Sequence, residues 1–267
     1  LSVEGVADGG EFLRALKAAA AVKPVIVYKG GLSEAGQRAV TSHTASLGGS
    51  RIIWEAALRQ AGAIQVHSLE EMAQACLAFS LLPPRPYRGI TVAGGGGALG
   101  VAACDMAEAY GLSLPHLEGE IYAAVLDCLP KPGSSAANPI DIANPYVPPK
   151  MIKEALLHAA RDPRVDLQIQ APLLYHFKAL SAMTGGVSFP AITPYAELAV
   201  AGREVADSTG KPVVVVLPNP RRRADDMDVE EVFRQARQAF LSRGIPVFDG
   251  LAEAMRAIRN VAAFASR

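Results

Sequence analysis

The stretch Ile90-Thr91-Val92-Ala93-Gly94-Gly95-Gly96-Gly97-Ala98-Leu99-Gly100 joins a short apolar run to a glycine-rich turn and the start of a helical pattern. The apolar run is continuous rather than alternating, as in parallel strands that are covered on both faces. The turn at Gly94–Gly97 predicts exposed backbone N–H groups at the positive end of a helix dipole, which is a site for phosphate or carboxylate. The alternative is a tight turn that serves only to pack the helix against the sheet. The turn is not a Walker loop, because no Lys-Ser/Thr pair follows it.

Similar apolar runs recur along the chain and alternate with helical patterns. The runs predicted as buried strands are 24–28, 90–93, 167–170, 212–217 and 246–248. Helices are predicted at 9–22, 52–61, 69–82, 98–110, 119–129, 149–161, 191–209, 229–243 and 251–265. This alternation predicts an α/β fold with doubly wound parallel sheets.

Two parts of the chain resemble each other. Lys23–Val27 matches Lys211–Val215, and Gly62–Val66 matches Gly244–Phe248. Two similar domains are the natural interpretation. Only residues 1–22 precede the Lys-Pro strand in the first copy, so we expect the chain to begin inside a domain of a longer polypeptide.

The domain boundary is predicted at a proline-rich segment. Pro83, Pro84 and Pro86 suit neither helix nor sheet. We therefore expect an incomplete first domain at 1–82, a linker at 83–87 and a second domain at 88–267.

Composition bounds the class of protein. The chain has 267 residues, half of them apolar and 19% charged, as in soluble globular proteins. Its 26 basic residues balance 26 acidic ones, so it shows no electrostatic footprint for nucleic acid or an anionic membrane. No apolar stretch approaches the roughly 20 residues of a membrane span. The run Arg221–Arg223 is followed by Asp225, Asp226 and Asp228, which predicts a solvated loop.

The cysteines indicate a reducing compartment. Cys76, Cys104 and Cys128 each lie in an apolar helical pattern without metal-ligand spacing. They are predicted to be reduced core residues of a cytoplasmic protein.

The densest polar cluster surrounds His43. It comprises residues 29–36 and 41–50, in which small residues and hydroxyls flank one imidazole. Glycine and serine let the backbone approach an anion, and three hydroxyl side chains offer donors: Ser42, Thr44 and Ser46. In a loop between a strand and a helix, such a histidine serves as a base, a metal ligand or a nucleophile. The metal interpretation is weakened because no second ligand stands at suitable spacing. The remaining alternative is a surface-loop histidine flanked by helix-capping residues.

A third cluster is Asn138-Pro139-Ile140-Asp141, at the close of a loop rich in small residues. An Asx-Pro turn that holds a carboxylate can order a loop over a site, which would be the role of Asn138 and Asp141. It can equally cap the helix that follows.

Together, these clusters resemble the ADP-forming acetyl-CoA synthetases and their relative succinyl-CoA synthetase, over nearly the whole chain. Leu1–Val6 is similar to the family's strand-end Glu-Gly segment, and Lys23–Gly36 to its KPVVVLKxGxTEAG stretch. Ser42–Leu47 resembles the SHTGSLAG phosphohistidine loop, the most specific of these motifs. Gly94–Gly100 is similar to the glycine turn of the following ligase domain, and Asn138–Asp141 to its NPxD element.

The resemblance implies two flavodoxin-like domains and a phosphoryl-transfer chemistry. In that family an acyl-CoA gives its acyl group to phosphate, and the acyl phosphate phosphorylates a histidine. A swinging loop then carries the phosphoryl group to a nucleotide. Carried over, His43 is the nucleophile and Glu4 the carboxylate that orients its imidazole. Phosphate would be bound by the hydroxyls around His43 and by the turn Gly94, Gly95, Gly96 and Gly97.

This chain departs from the family pattern in two respects. Ala45 stands where the family has Gly, and Gly48 where it has Ala. In addition, the CoA-binding and ATP-grasp domains are absent, so we expect them as partners, either fused or in a separate subunit, and expect this chain to be inactive alone. The complete enzyme would use CoA, ATP or ADP, Mg²⁺, phosphate and a small-molecule acyl substrate, and would be an oligomer without nucleic-acid or membrane partners.

The expected reaction is acyl-CoA + ADP + phosphate ⇌ carboxylic acid + ATP + CoA. The main alternative is a non-catalytic, synthetase-like regulatory region of a protein lysine acetyltransferase, although an intact His43 favours catalysis. A plain anion-binding module is the third possibility.

Overall fold

The computed structural model describes residues 1–44 and 50–267, of which 41–44 are described by their backbone only. The chain forms two compact units. The first comprises Leu1–Ser80, Pro84–Pro86 and Asn260–Arg267, and the second comprises Leu81–Pro83 and Tyr87–Arg259.

The first unit is built on a small parallel sheet. Its elements in chain order are β1 (Ser2–Val3), α1 (Gly9–Val22), β2 (Ile26–Lys29), α2 (Glu34–Thr44), α3 (Arg51–Ala61), β3 (Ile64–Val66) and α4 (Leu69–Leu81). Within the described residues the sheet has three strands in the order β1-β2-β3, all parallel. Two clusters of buried side chains lie against it, centred on Val27 with Leu58 and on Ile26 with Val66.

The second unit is a five-stranded parallel sheet with helices between its strands. Its elements are β4 (Ile90–Gly94), α5 (Gly97–Ala109), α6 (Gly119–Asp127), β5 (Ile140–Asp141), α7 (Pro149–Ala159), β6 (Leu167–Ala171), α8 (Phe177–Met183), α9 (Phe189–Ile192), α10 (Tyr195–Thr209), β7 (Val213–Val216), α11 (Met227–Leu241), β8 (Val247–Phe248) and α12 (Leu251–Ala265). The central strands β4, β6 and β7 are buried along their whole length, which explains their continuous apolar sequence.

The strand order of the second sheet determines where a ligand can bind. The order is β5-β4-β6-β7-β8, which is 2-1-3-4-5 in chain order and therefore the flavodoxin-like doubly wound arrangement. The chain reverses its winding direction between β4 and β6. At such a switch point the loops leave the carboxyl ends of adjacent strands in opposite directions and open a crevice.

The predicted α/β class, the parallel sheets and the strand at Ile90–Ala93 are confirmed. Three helices, α2, α8 and α9, were not among those predicted. The prediction of core cysteines is wrong for two of them, because Cys76 and Cys104 are exposed and only Cys128 is half-buried. Helices α4 and α5 are rich in alanine, so their helical periodicity does not distinguish buried positions from the exposed positions next to them.

Across residues 1–44 and 50–267, no helix is both long enough and apolar enough to cross a membrane.

Candidate functional site

Glu4 lies at the carboxyl edge of the first sheet. Strands β1 and β2 are in parallel register, with Val3 opposite Lys29, so both strands end at the same edge. The Gly30 N–H donates to the Val3 carbonyl oxygen at 3.0 Å and extends this pairing by one residue. A Cβ atom on Gly30 would lie 3.7 Å from Cγ of Glu4, so the Glu4 side chain passes beside Gly30. Short parallel pairing therefore places the predicted carboxylate where α/β sheets bind ligands.

Lys29 adds a buried cation to this edge. The residue is 3% exposed, and its ammonium group donates to the backbone carbonyl oxygens of Glu4, at 2.8 Å, and of Gly30. The same Nζ atom lies 5.0 Å from the centre of the Trp54 ring, within range of a cation–π interaction. Burial lowers the pKa of Lys29 from its usual value, and the charge of Glu4 partly opposes that shift. Lys29 was part of the polar cluster seen in the sequence, but nothing local in the sequence indicated a role for it.

A tight turn leads from β2 into α2. Gly31 has a φ of +70°, and the Ser33 side chain accepts a hydrogen bond from the Gly36 N–H at 3.1 Å, which caps the helix. A salt bridge of 3.5 Å between Glu34 and Arg38 adds a favourable contact one turn into the helix.

The backbone of His43 lies in the last turn of α2, since the helix runs from Glu34 to Thr44. The prediction of a loop at this histidine is therefore wrong: the helix, capped at its start by Ser33, continues through Ser42 and Thr44 although these residues have only moderate helix propensity. The side chains of Ser42, His43 and Thr44, and the whole of Ser46, lie outside the described residues.

The Gly94–Gly97 turn lies at the carboxyl end of β4, on the edge where the second sheet was predicted to bind phosphate. Two of its glycines are required by close packing. A Cβ atom on Gly94 would lie 2.4 Å from the Ala171 carbonyl oxygen, and one on Gly95 would lie 2.7 Å from that of Asn144. Gly96 has a φ of +128°, which an L side chain rarely adopts. Packing thus accounts for much of the glycine content of this turn.

Asp141 occupies part of the N-terminus of α5. Its carboxylate accepts the Gly96 N–H at 3.0 Å and the Ala143 N–H at 2.8 Å. The carboxylate thus takes one of the donors that the sequence suggested for phosphate. In the described part of the chain, the N–H groups of Gly97 and Ala98 have no hydrogen-bond acceptor and remain available.

Asn138 ties the loop before β5 to the sheet. Its side-chain oxygen accepts the Val92 N–H at 3.1 Å, while its amide nitrogen donates to the carbonyl oxygens of Ile90 and Pro115, both at 3.0 Å. The residue is 7% exposed and has a φ of 69°. Asn138 therefore fixes the loop that carries Asp141, but it does not itself line the crevice.

A cleft of about 1080 Å³ lies at the switch point of the second unit's sheet. Its lining comes from the segments that follow β4, β6, β7 and β8, with Gly95 and Gly96 among the lining residues. It also contains side chains that the sequence analysis did not propose as site residues: Arg222, Arg223, Arg234 and Arg237.

The charges after β7 are only partly paired within their own loop. Arg221 pairs with Asp226 at 3.5 Å, but Asp228 pairs instead with Lys178. Within the described ranges, the side chains of Arg222 and Arg223 make neither an ion pair nor a hydrogen bond. These two arginines therefore contribute uncompensated positive charge to the cleft.

Comparison with known proteins finds relatives of this chain. Residues 1–79 match the family described as "Succinyl-CoA ligase like flavodoxin domain". The chain is 36% identical over 169 residues to the acetate–CoA ligase (ADP-forming) II subunit alpha of Pyrococcus furiosus, a match that covers 63% of this chain and 36% of that protein. It is also 36% identical over 146 residues to a 4-hydroxybutyrate–CoA ligase (ADP-forming) of Nitrosopumilus maritimus, covering 52% and 20% of the two chains.

A solved structure extends the similarity to the whole chain. It is the dinucleotide-forming acetyl-coenzyme A synthetase 1 of Ca. Korarchaeum cryptofilum in complex with phosphate and ADP. It matches with a TM-score of 0.77 and 26% identity, over 99% of this chain and 52% of that one. The chain thus spans about half of that protein and about a third of the Pyrococcus subunit. The chain is therefore a homologue of the ADP-forming acetate–CoA ligases, with a succinyl-CoA-ligase-like flavodoxin domain at residues 1–79.

Proposed function

We propose that this chain is part of an NDP-forming acyl-CoA synthetase and carries a phosphoryl group on His43. The complete enzyme would interconvert acyl-CoA, ADP and phosphate with a carboxylic acid, ATP and CoA. The observation that carries the proposal is homology to ADP-forming acetate– and 4-hydroxybutyrate–CoA ligases in a chain that retains His43 within its flavodoxin domain. The named relatives are ligases or synthetases, so they lend no support to a regulatory region of an acetyltransferase.

The proposed chemistry uses a covalent intermediate on the imidazole. Phosphate displaces CoA from the acyl group and gives an acyl phosphate. One ring nitrogen of His43 then attacks the phosphorus atom, the bond between phosphorus and the acyl oxygen breaks, and the carboxylate leaves. An oxygen of the ADP β-phosphate next attacks the same phosphorus, the P–N bond breaks, and ATP forms.

Glu4 would act on the second ring nitrogen. A carboxylate that accepts the N–H of that nitrogen holds the other nitrogen deprotonated and nucleophilic, and it stabilises the positive charge that develops on attack. Support comes from the position of Glu4 at the carboxyl edge of β1 and from Lys29, whose ammonium group donates a hydrogen bond to the Glu4 carbonyl oxygen.

The phosphoryl group would be bound by Ser42, Thr44 and Ser46 and by the turn Gly94–Gly97. In the second unit, this assignment is supported by the N–H groups of Gly97 and Ala98, which have no acceptor among the described residues. The Gly96 N–H is not available for phosphate, because it already donates to the Asp141 carboxylate. Asn138 and Asp141 would keep the turn in place.

CoA, ATP or ADP and the acyl group would bind mostly to ATP-grasp and CoA-binding domains, fused or in a separate subunit, within a cytoplasmic oligomer. Mg²⁺ would bind together with the nucleotide phosphates, as is usual for this ion. Sequence domains at 1–82 and 88–267, joined by 83–87, belong to the same proposal; they differ from the compact units at residues 81–87 and 260–267.

The test is phosphorylation of the complete enzyme with labelled ATP and Mg²⁺. We expect phosphate on a nitrogen, labile to acid and stable to base, and its loss in His43→Asn. His67→Asn is the matched control, because His67 is exposed in the same unit and, among the described residues, only its backbone N–H makes a hydrogen bond, to Glu71. Acid-stable phosphate on serine or threonine would show that the nucleophile is wrong.

The same assay tests Glu4. Glu4→Gln should slow phosphorylation by on the order of 10²-fold or more while the circular dichroism spectrum stays unchanged, since an amide does not stabilise a charged imidazole in the same way. Glu11→Gln, at an exposed position of α1, should leave the rate unchanged. An unchanged rate in Glu4→Gln would remove this carboxylate from the site.

A further inference from the structure

Lys29 carries a buried positive charge at the carboxyl edge of the first sheet. The residue is 3% exposed, and its ammonium group contacts three segments of the first unit. It donates to the carbonyl oxygen of Glu4, just after β1, at 2.8 Å, and to that of Gly30, just after β2. It also lies 5.0 Å from the ring centre of Trp54, on α3. Lys29 thus joins the ends of two strands to the helix that follows the His43 segment in the chain.

A cation in this place is unfavourable for folding unless its position is needed. Removal of an ammonium group from water costs free energy, and burial accordingly lowers the pKa of Lys29, an effect that the charge of Glu4 partly opposes. An apolar side chain at the same position would avoid this cost.

The second copy of the repeat shows that the fold does not require a lysine here. Continuing the match between the two Lys-Pro strands by two residues places Leu217 at the position of Lys29. Counting the parallel registers onward in the same way places Leu173 at the position of Glu4. The two leucines are buried, at 1% and 9% exposure. The second unit therefore builds the same edge of its sheet from apolar residues, and the charged residues of the first unit are not needed to form it.

We propose that Lys29 is a positioning residue, which holds Glu4 in place for the imidazole of His43 during phosphoryl transfer. The inference deepens the function proposed above and rests on it. A carboxylate orients an imidazole only if the backbone that carries it is itself fixed. Glu4 follows a strand of only two residues, Ser2–Val3, so strand pairing alone holds it weakly. The hydrogen bond from Lys29 ties its carbonyl group to the end of β2.

Phosphorylation of the complete enzyme with labelled ATP and Mg²⁺ tests the proposal in Lys29→Met. Methionine keeps an unbranched apolar stem that packs against Trp54, but it has no hydrogen-bond donor of its own. The phosphorylation rate at saturating ATP should fall about tenfold or more, and the ATP concentration for half-maximal rate should stay unchanged, because a misplaced reacting group raises the transition state alone. Lys29→Leu, with the residue of the second copy, is a second variant and should lose the same rate. An unchanged circular dichroism spectrum shows that each variant is folded.

Lys211→Met is the matched control. The Lys211 ammonium group lies at the amino end of β7 in the second unit and donates to the carbonyl oxygens of Ala160, at 2.6 Å, and of Asp162, at 2.8 Å. The substitution removes the same kind and number of hydrogen bonds as Lys29→Met, away from the carboxyl edge of the sheet. It should lower the urea midpoint of unfolding but leave the phosphorylation rate unchanged. Equal losses of rate in Lys29→Met and Lys211→Met would show that Lys29 acts only through stability, and would overturn the inference.

A double substitution tests whether Lys29 acts through Glu4. In the Glu4→Gln enzyme, adding Lys29→Met should change the remaining rate by less than about twofold, because residues that act through one another have non-additive effects. A further loss as large as in the unsubstituted background would show that Lys29 acts independently of Glu4 and would overturn the inference. An unchanged rate in both folded Lys29 variants would do the same. A failure of the proposed function has a different result: the unsubstituted enzyme then carries no phosphate on His43, and the inference falls with it.

Discussion

Single polar side chains fix the loops around the second sheet. The Asn138 side chain accepts a hydrogen bond from the Val92 N–H of β4, in the place of a strand partner. It also donates to the carbonyl oxygen of Pro115, in the segment before α6. From the sequence, the Asn-Pro pair predicted either loop ordering or a helix cap. The structure shows hydrogen bonds to β4, formed across 46 and 48 residues of sequence.

Asn138→Ala should lower the free energy of unfolding of the second unit by about 2–4 kcal/mol, because the N–H of Val92 and the carbonyl of Ile90 lose a buried partner. Urea unfolding followed by far-ultraviolet circular dichroism measures this. Gln238→Ala, at an exposed position of α11 in the same unit, has no side-chain hydrogen bond among those described and should change stability by less than about 0.5 kcal/mol. Equal effects of the two substitutions would show that the Asn138 bonds contribute nothing net.

The charged residues of the β7–α11 segment show that ion pairs cannot be predicted from neighbours in the sequence alone. The sequence predicted only a solvated loop here; in the structure Arg221 pairs with the nearby Asp226. Asp228 is instead engaged by Lys178, which lies 50 residues away. A partner supplied from α8 is not visible in the local sequence.

At the level of elements, helix α2 is the main difference from the prediction. Serine, threonine and glycine around His43 favoured a loop, yet the helix begins at Glu34 and reaches Thr44. The turn before it depends on Gly31, where a Cβ atom would lie 2.7 Å from Cγ2 of Val40. Val40, 6% exposed, packs over this turn.

Gly31→Ala should therefore destabilise the first unit by about 1–3 kcal/mol, through a positive φ and the contact with Val40. Trp54 is the single tryptophan of the chain, is buried in α3, and reports on this unit by fluorescence during denaturation. Gly9→Ala, at the start of α1, meets nothing within 4 Å and has an ordinary φ, so it should be neutral or slightly stabilising. A Gly31→Ala protein as stable as Gly9→Ala would contradict the packing argument.

At the scale of the whole molecule, the last eight residues, 260–267, belong to the same compact unit as the N-terminal residues 1–80. Phe264 packs edge-on against Phe79 with ring centres 5.7 Å apart, and the Arg267 guanidinium lies 5.0 Å from the centre of the Phe264 ring. Residues 260–267 therefore belong to the first unit, although the duplication in the sequence placed them with the second copy.

Phe264→Ala should lower the stability of the first unit by about 1–3 kcal/mol, because an aromatic pair and buried apolar area are lost. The fluorescence transition of Trp54 should move to lower urea concentration. Val22→Ala is the control, since Val22 is 83% exposed in the same unit and should change stability by less than about 0.5 kcal/mol. An unmoved transition in Phe264→Ala would show that residues 260–267 do not stabilise the first unit.

The sequence by itself determined the class of the fold, most helices and strands, the glycine turn at the carboxyl edge of β4, and the relation to acyl-CoA synthetases. These features depend on local periodicity, on turn residues and on short motifs, all of which are read within a few positions. Only the tertiary structure decided the strand order, the hydrogen bond from the Gly96 N–H to the Asp141 carboxylate, and which arginines line the cleft without an acidic partner. Each of these joins residues tens of positions apart, and their meeting depends on strand register and helix packing rather than on any local preference.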